Sequence, residues 1–175
     1  MKRPSATAFL LVAATAGTLH ALTSFYWGLG GRWLLDTVGQ QLVHAFQGKG
    51  WILVLIGVAK LAAALVPFAL YRRGWRIGGS ATLGRAMCAI GAAALALWGG
   101  VNTIIGNLVL VGAIPHTDHG FDRQGMVGHA WLWDPLFLVW GLSLAAAVAS
   151  PTTQAGEGRN PPNRPQHSID RGCGK

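Results

Sequence analysis

Four long apolar segments dominate the chain. Ser5 to Trp27 contains no charged residue, Trp51 to Tyr71 only Lys60, Ala86 to Ile114 none, and His129 to Ala149 only Asp134. A run of about 20 apolar residues is what an α-helix needs to cross a hydrocarbon core about 30 Å thick. The pattern therefore predicts an all-α integral membrane protein, a four-helix transmembrane bundle. Its helices fall at about 5–27, 51–71, 86–112 and 129–149, and residues 1–149 form one domain.

Small and polar residues recur at steps of three and four within each segment, which puts them on one helix face. The first segment offers Ala13, Gly17, His20, Ser24 and Trp27, and the second Gly57, Lys60, Ala64 and Pro67. The third offers Gly91, Leu95, Trp98, Asn102 and Gly106, and the fourth Asp134, Leu138, Gly141 and Ala145. Small residues let helices approach closely in lipid, where no hydrophobic force drives them together, so these faces are expected to meet inside the bundle.

Between the first two segments, Leu34, Leu35, Val38, Leu42, Val43 and Phe46 have amphipathic spacing. They predict a short helix over 33–46 lying on the membrane surface. Trp27, Trp33, Trp51, Trp131 and Trp133 gather at that boundary, and Tyr71 and Trp75 at the opposite one, as headgroup-level aromatic belts do. Residues 150–175, with Pro151, Pro161, Pro162 and Pro165 among scattered Gly, Asn and Arg, cannot bury a core and predict a disordered cytoplasmic tail.

Composition agrees. Of 175 residues, 51% are hydrophobic and 11% charged, whereas a soluble domain carries about 25% charged residues. The net charge of +8 does not point to nucleic acid, because the basic residues form no helix face interleaved with aromatics. They sort by loop. Lys2, Arg3, Arg72, Arg73, Arg76, Arg85, Arg159, Arg164, Arg171 and Lys175 lie on one side, and Arg32, Lys49 and Arg123 on the other. Positive loops stay in the cytoplasm, which predicts a multi-pass cell-membrane protein with both termini cytoplasmic. Lys2-Arg3 resembles a signal-peptide n-region, but the apolar run exceeds an h-region and no small-x-small cleavage site follows closely, so an uncleaved anchor is expected. Cys88 and Cys173 form no Cys-x-x-Cys and fall on the reducing side, which argues against a disulfide framework.

The candidate chemistry is a buried polar layer of His20, Lys60, Asn102, Asn107 and Asp134. At a rise of 1.5 Å per residue, Lys60 lies about 14 Å, His20 about 10 Å and Asp134 about 8 Å inside the outer boundary. A charge at the bilayer centre costs about 2.5–3.5 kcal/mol on insertion scales, and pairing Lys60 with Asp134 would offset that. Such a pair either fixes helix register or belongs to a pocket that binds a ligand or relays protons; burial alone does not decide. His20 and His129 differ in depth, so a bis-histidine haem is not expected. The outer loop His116-Thr117-Asp118-His119 could supply metal ligands with His44 or His129. Pro115 and Gly120 bracket it too tightly for more than one helical turn, so a solvated turn is favoured and no metal or other cofactor is expected. No catalytic motif occurs: no Ser-centred elbow, no His-Glu-x-x-His, no Walker loop.

Two stretches carry a resemblance: His20 followed by Tyr26-Trp27-Gly28-Leu29-Gly30-Gly31-Arg32-Trp33, and Leu132-Trp133-Asp134-Pro135-Leu136-Phe137-Leu138-Val139-Trp140-Gly141. With four helices in about 150 residues, the chain resembles the bacterial membrane proteins grouped as domain of unknown function 3995, over Ala6 to Ala149. The resemblance implies four spanning helices in a bacterial inner membrane and no established activity, cofactor or substrate. Two functional classes follow: a structural or small-molecule-binding membrane component, or a small transporter or proton relay built on the Lys60/Asp134 layer. The expected partner is the lipid bilayer, and a second copy or another membrane protein stays open.

Overall fold

The structure is a computed structural model that describes residues 5–115 and 121–150. The described residues are helical, with no strand. Four helices are long and apolar enough to cross a membrane: α1 (Ala6–Gly28), α3 (Gly50–Arg72), α4 (Ala81–Leu110), and the continuous run Arg123–Ala149. That run is built from α5 (Arg123–Gly128), a π turn (His129–Trp133) and α6 (Asp134–Ala149). The small helix α2 (Gln40–Phe46) follows a 3-10 turn at Leu35–Val38.

Local chemistry sets the ends. Ser5 caps α1, its Oγ accepting from the Ala8 N–H at 3.2 Å, and Ser80 caps α4 by accepting from Leu83 N–H at 3.2 Å. α4 thus starts at Ala81, ahead of the expected 86. Arg85 does not interrupt the helix, because its guanidinium reaches across to the carbonyl of Val148 at the end of α6. The expected surface helix over 33–46 is broken. Gly39, at φ +95°, separates the 3-10 turn from α2, a conformation a side chain resists. Of the predicted tail at 150–175, residues 151–175 lie outside the described residues, as do the loop residues His116, Asp118 and His119.

The long helices alternate in direction and pack in the series α3–α1–α6–α4. Close approach comes from glycine. A Cβ on Gly99 of α4 would sit 2.5 Å from the Asp134 carbonyl oxygen, and one on Gly141 of α6 would sit 2.7 Å from the Ala92 carbonyl oxygen. On the other flank, Gly17 of α1 lies between Ala64 of α3 and the Trp140 indole of α6.

Among the described residues the long helices form three extensive seams rather than the four of a closed bundle. α1 meets α3 through Ser24, Phe25 and Gly28 and meets α6 through His20 and Gly17, directions about a quarter turn apart at 100° per residue. α6 turns in the same sense, meeting α1 with Phe137 and Trp140 and α4 with Asp134, Leu138 and Gly141. The series therefore folds back on itself, and α3 faces α4 across a gap. The face of α4 that packs runs through Gly84, Cys88, Ala92, Gly99 and Gly106; of the expected Gly91–Leu95–Trp98–Asn102–Gly106 line it keeps Gly106 and is otherwise rotated away. Trp98 is 64% exposed, and nothing lies within 4 Å of a Cβ built on Gly91. Gly91 and Trp98 border the gap instead, while Leu95 packs against the core.

The ends of the bundle differ in chemistry. At the end holding the α3–α4 turn, Leu10, Trp75, Cys88, Leu144, Ala147 and Val148 form an apolar core. The polar groups collect at the opposite end, under the loop before α3 and around α5.

Candidate functional site: a polar layer in two parts

The geometry around Asp134 starts with a proline. Pro135 has no N–H, and in a regular α-helix its ring would clash with the carbonyl four residues earlier. The helix widens into a π turn just before it, closed by the Asp134 N–H bonding to the His129 carbonyl, five residues back. In an α-helix, residues five apart point about 140° away from each other. The wider turn stacks them, and His129 Nδ1 meets Asp134 Oδ2 at 3.0 Å. The Asp134 side chain is buried, the whole residue being 1% exposed.

His129 Nε2 faces the Val38 carbonyl at 3.2 Å. A carbonyl only accepts, so Nε2 carries a hydrogen, and the contact between Nδ1 and the carboxylate then holds one further proton shared by the two groups. The loop is tied down beside them. Trp133 Nε1 donates to the carbonyl and hydroxyl oxygens of Thr37, both at 3.1 Å. Asp122 accepts from the Gly125 N–H at 2.9 Å and from the Gln40 N–H at 2.6 Å.

Lys60 does not pair with Asp134, contrary to the expectation from depth. Its Nζ donates to Ser24 Oγ at 3.0 Å and to His20 Nδ1 at 3.2 Å, and stands 5.8 Å from the centroid of the Phe137 ring. His20 in turn directs Nε2 at the Trp133 carbonyl, 3.3 Å away, and lies against Phe137 with ring centroids 4.0 Å apart. The same accounting fixes this ring: Nε2 donates, and Nδ1 offers its lone pair to the ammonium. Matched depth fails as a guide because the two residues point in different directions. Asp134 turns toward α4, where Gly99 packs on its own carbonyl, whereas Lys60 turns toward α1.

The layer is thus two clusters divided by Trp133. One is Ser24–Lys60–His20, and the other is His129–Asp134. The second forms part of the wall of a cleft of about 480 Å³, lined also by Gln40, Asn102, Phe121, Asp122 and Met126. Asn102 joins the cleft while its amide N–H₂ donates to the Trp98 carbonyl at 2.8 Å. Asn107 is not brought to the cleft; it sits about 140° round α4 from Asn102 and donates to the Thr103 carbonyl at 2.7 Å. Among the described residues, no group of three metal-ligating side chains converges.

The sequence profile of DUF3995, described as a protein of unknown function, matches residues 16–144. The chain belongs to the DUF3995 family. No curated protein and no solved structure matches it. The span matched to DUF3995 includes both clusters and the π turn between α5 and α6. Sequence reasoning missed His129 as the partner of Asp134 and missed Ser24 as a partner of Lys60. Pro135 inside an apolar span, five residues after a histidine and one after an aspartate, was the available signal for the first.

Proposed function

We propose that this DUF3995 protein is a multi-pass cell-membrane component, with both termini cytoplasmic, that binds a small organic cation in the cleft at its outer end. The observation that carries the reading is the wall chemistry. The cleft holds the carboxylate of Asp122, that of Asp134 with its proton-sharing partner His129, and the amides of Gln40 and Asn102, and among the described residues no Lys or Arg lines it. Apolar side chains and a few convergent polar groups are the usual make-up of a small-molecule site. Phe121 and Met126 offer such an apolar surface to the body of an ammonium ligand.

The test is thermal unfolding of the purified protein in detergent with butylammonium or tetraethylammonium. A ligand at 100 times its dissociation constant stabilises by about 2.7 kcal/mol. The native protein should melt higher with cation concentration and Asp134→Asn should not. An unchanged melting temperature with both cations would refute the reading.

The proton-relay alternative draws on a different observation, the single proton shared within the His129–Asp134 pair. It cannot use Lys60 and Asp134 as one unit, since Trp133 divides them. The binding reading accounts for the cleft, and the relay reading does not.

A further inference from the structure

Lys60 raises a question that the cleft does not answer. Among the described residues no carboxylate lies within 4.0 Å of its Nζ. The Asp134 carboxylate lies with His129 in the cleft wall, on the far side of Trp133, and the partners of Lys60, His20 and Ser24, are neutral acceptors. Lys60 is ten residues into α3, about 15 Å along the helix. An ammonium at that depth without a counter-charge is costly, and paired intramembrane cations mark ligand pathways. Two of its three N–H groups are used, and the third meets no acceptor among the described residues.

The surroundings point the same way. One turn deeper, Gly17 and Ala64 adjoin the Trp140 indole, whose buried N–H has no partner among the described residues. This half of the interior therefore has donors in excess of acceptors. It is also reachable from the side: Lys60 projects into the interior that α3 and α4 leave open, where Gly91 has no neighbour and Trp98 stands exposed.

We propose that the gap between α3 and α4 admits a lipophilic carboxylate, a single acyl chain whose head accepts from Lys60 while its tail lies along Gly91 and Trp98. The anion supplies the missing counter-charge and the missing acceptor together. A phospholipid does not fit, because its phosphate is held at the headgroup level, about 15 Å above Lys60 by the helical rise. A neutral acceptor such as a quinone carbonyl would leave the charge uncompensated. This site is separate from the cleft, and either can fail without the other.

The experiment is equilibrium binding of radiolabelled palmitate to the full chain in detergent, with hexadecanol as the uncharged competitor of equal chain length. Saturable palmitate binding is expected. Lys60→Met should weaken it by about tenfold or more, as loss of a buried charge pair does, while Lys60→Arg keeps most of it. Hexadecanol should compete about tenfold less well, the factor that 1.4 kcal/mol of head-group pairing gives. Gly91→Trp, which fills the gap and leaves Lys60 in place, should also abolish binding, so a Lys60→Met protein that fails to fold does not end the test. Absence of saturable binding, equal binding by well-folded Lys60→Met, unaltered binding by Gly91→Trp, or hexadecanol competing as well as palmitate would each overturn the proposal.

Discussion

Replacing Gly99 by alanine adds a single methyl group where α4 rests on α6. The Cβ would lie 2.5 Å from the Asp134 carbonyl oxygen and closer still to the Leu138 nitrogen, whereas ordinary contact begins at 3.4 Å. Both neighbours are backbone, so no side chain can swing away and the two helices must part by about 1 Å. Forced overpacking costs about 1–3 kcal/mol, and a rigid backbone contact belongs at the upper end. The gain in helix propensity from glycine to alanine returns about 1 kcal/mol, leaving a net loss of about 2 kcal/mol. At about 2–4 °C per kcal/mol for a chain of this size, Gly99→Ala should melt roughly 4–8 °C below the native protein in detergent. Two neighbours on the same helix serve as controls. Gly100→Ala meets only the Leu138 Cδ1 at 3.5 Å, and Gly91→Ala meets nothing within 4 Å, so both should be neutral or stabilising. Gly99→Ala melting with or above the native protein, or Gly91→Ala falling as far as Gly99→Ala, would refute the close α4–α6 seam and the open side together.

Three further outcomes are expected. In double-mutant cycles on stability, His129→Ala and Asp134→Asn should couple by about 0.5–3 kcal/mol, and Lys60→Met with Asp134→Asn should be nearly additive; the reverse pattern would restore the ion pair that depth suggested. Pro135→Ala should let the turn relax toward a regular α-helix and swing His129 off Asp134, so the His129–Asp134 coupling should shrink in that background; an unchanged coupling would mean the proline does not set the π turn. A periplasmic reporter fused at residue 78 should be inactive and one at residue 48 active, and the opposite result would invert the orientation.

The spans were legible in the sequence because hydropathy over 20 residues is insensitive to small errors in placement. The packing faces of α1 and α3 were legible too: Gly17, His20 and Ser24, then Gly57 and Ala64, are buried as their spacing implies. The face of α4 was not. A stripe through Gly91 and Trp98 and one through Ala92 and Gly99 differ by a single step, about 100° of rotation, and both contain small residues. Only the missing α3–α4 seam decides between them. The partner of Asp134 was hidden for a related reason. Depth along a span can be counted from the sequence, but direction around the helix depends on every turn being α, and one π turn resets it.

The apolar end of the helix assembly closes it along the helix axis. Trp75 is 1% exposed and wedged among Leu10, Cys88, Leu144 and Val148, and its carbonyl abuts Gly84, so the α3–α4 turn is seated in the bundle rather than draped over it. The polar clusters stop well short of that plug. The molecule is therefore shaped as a cup with a hydrophilic mouth and a greasy base, not as a tube. A solute moving along the helix axis from the His129–Asp134 wall would meet this plug, and passing it would require Trp75 and the whole α3–α4 turn to lift out of the core.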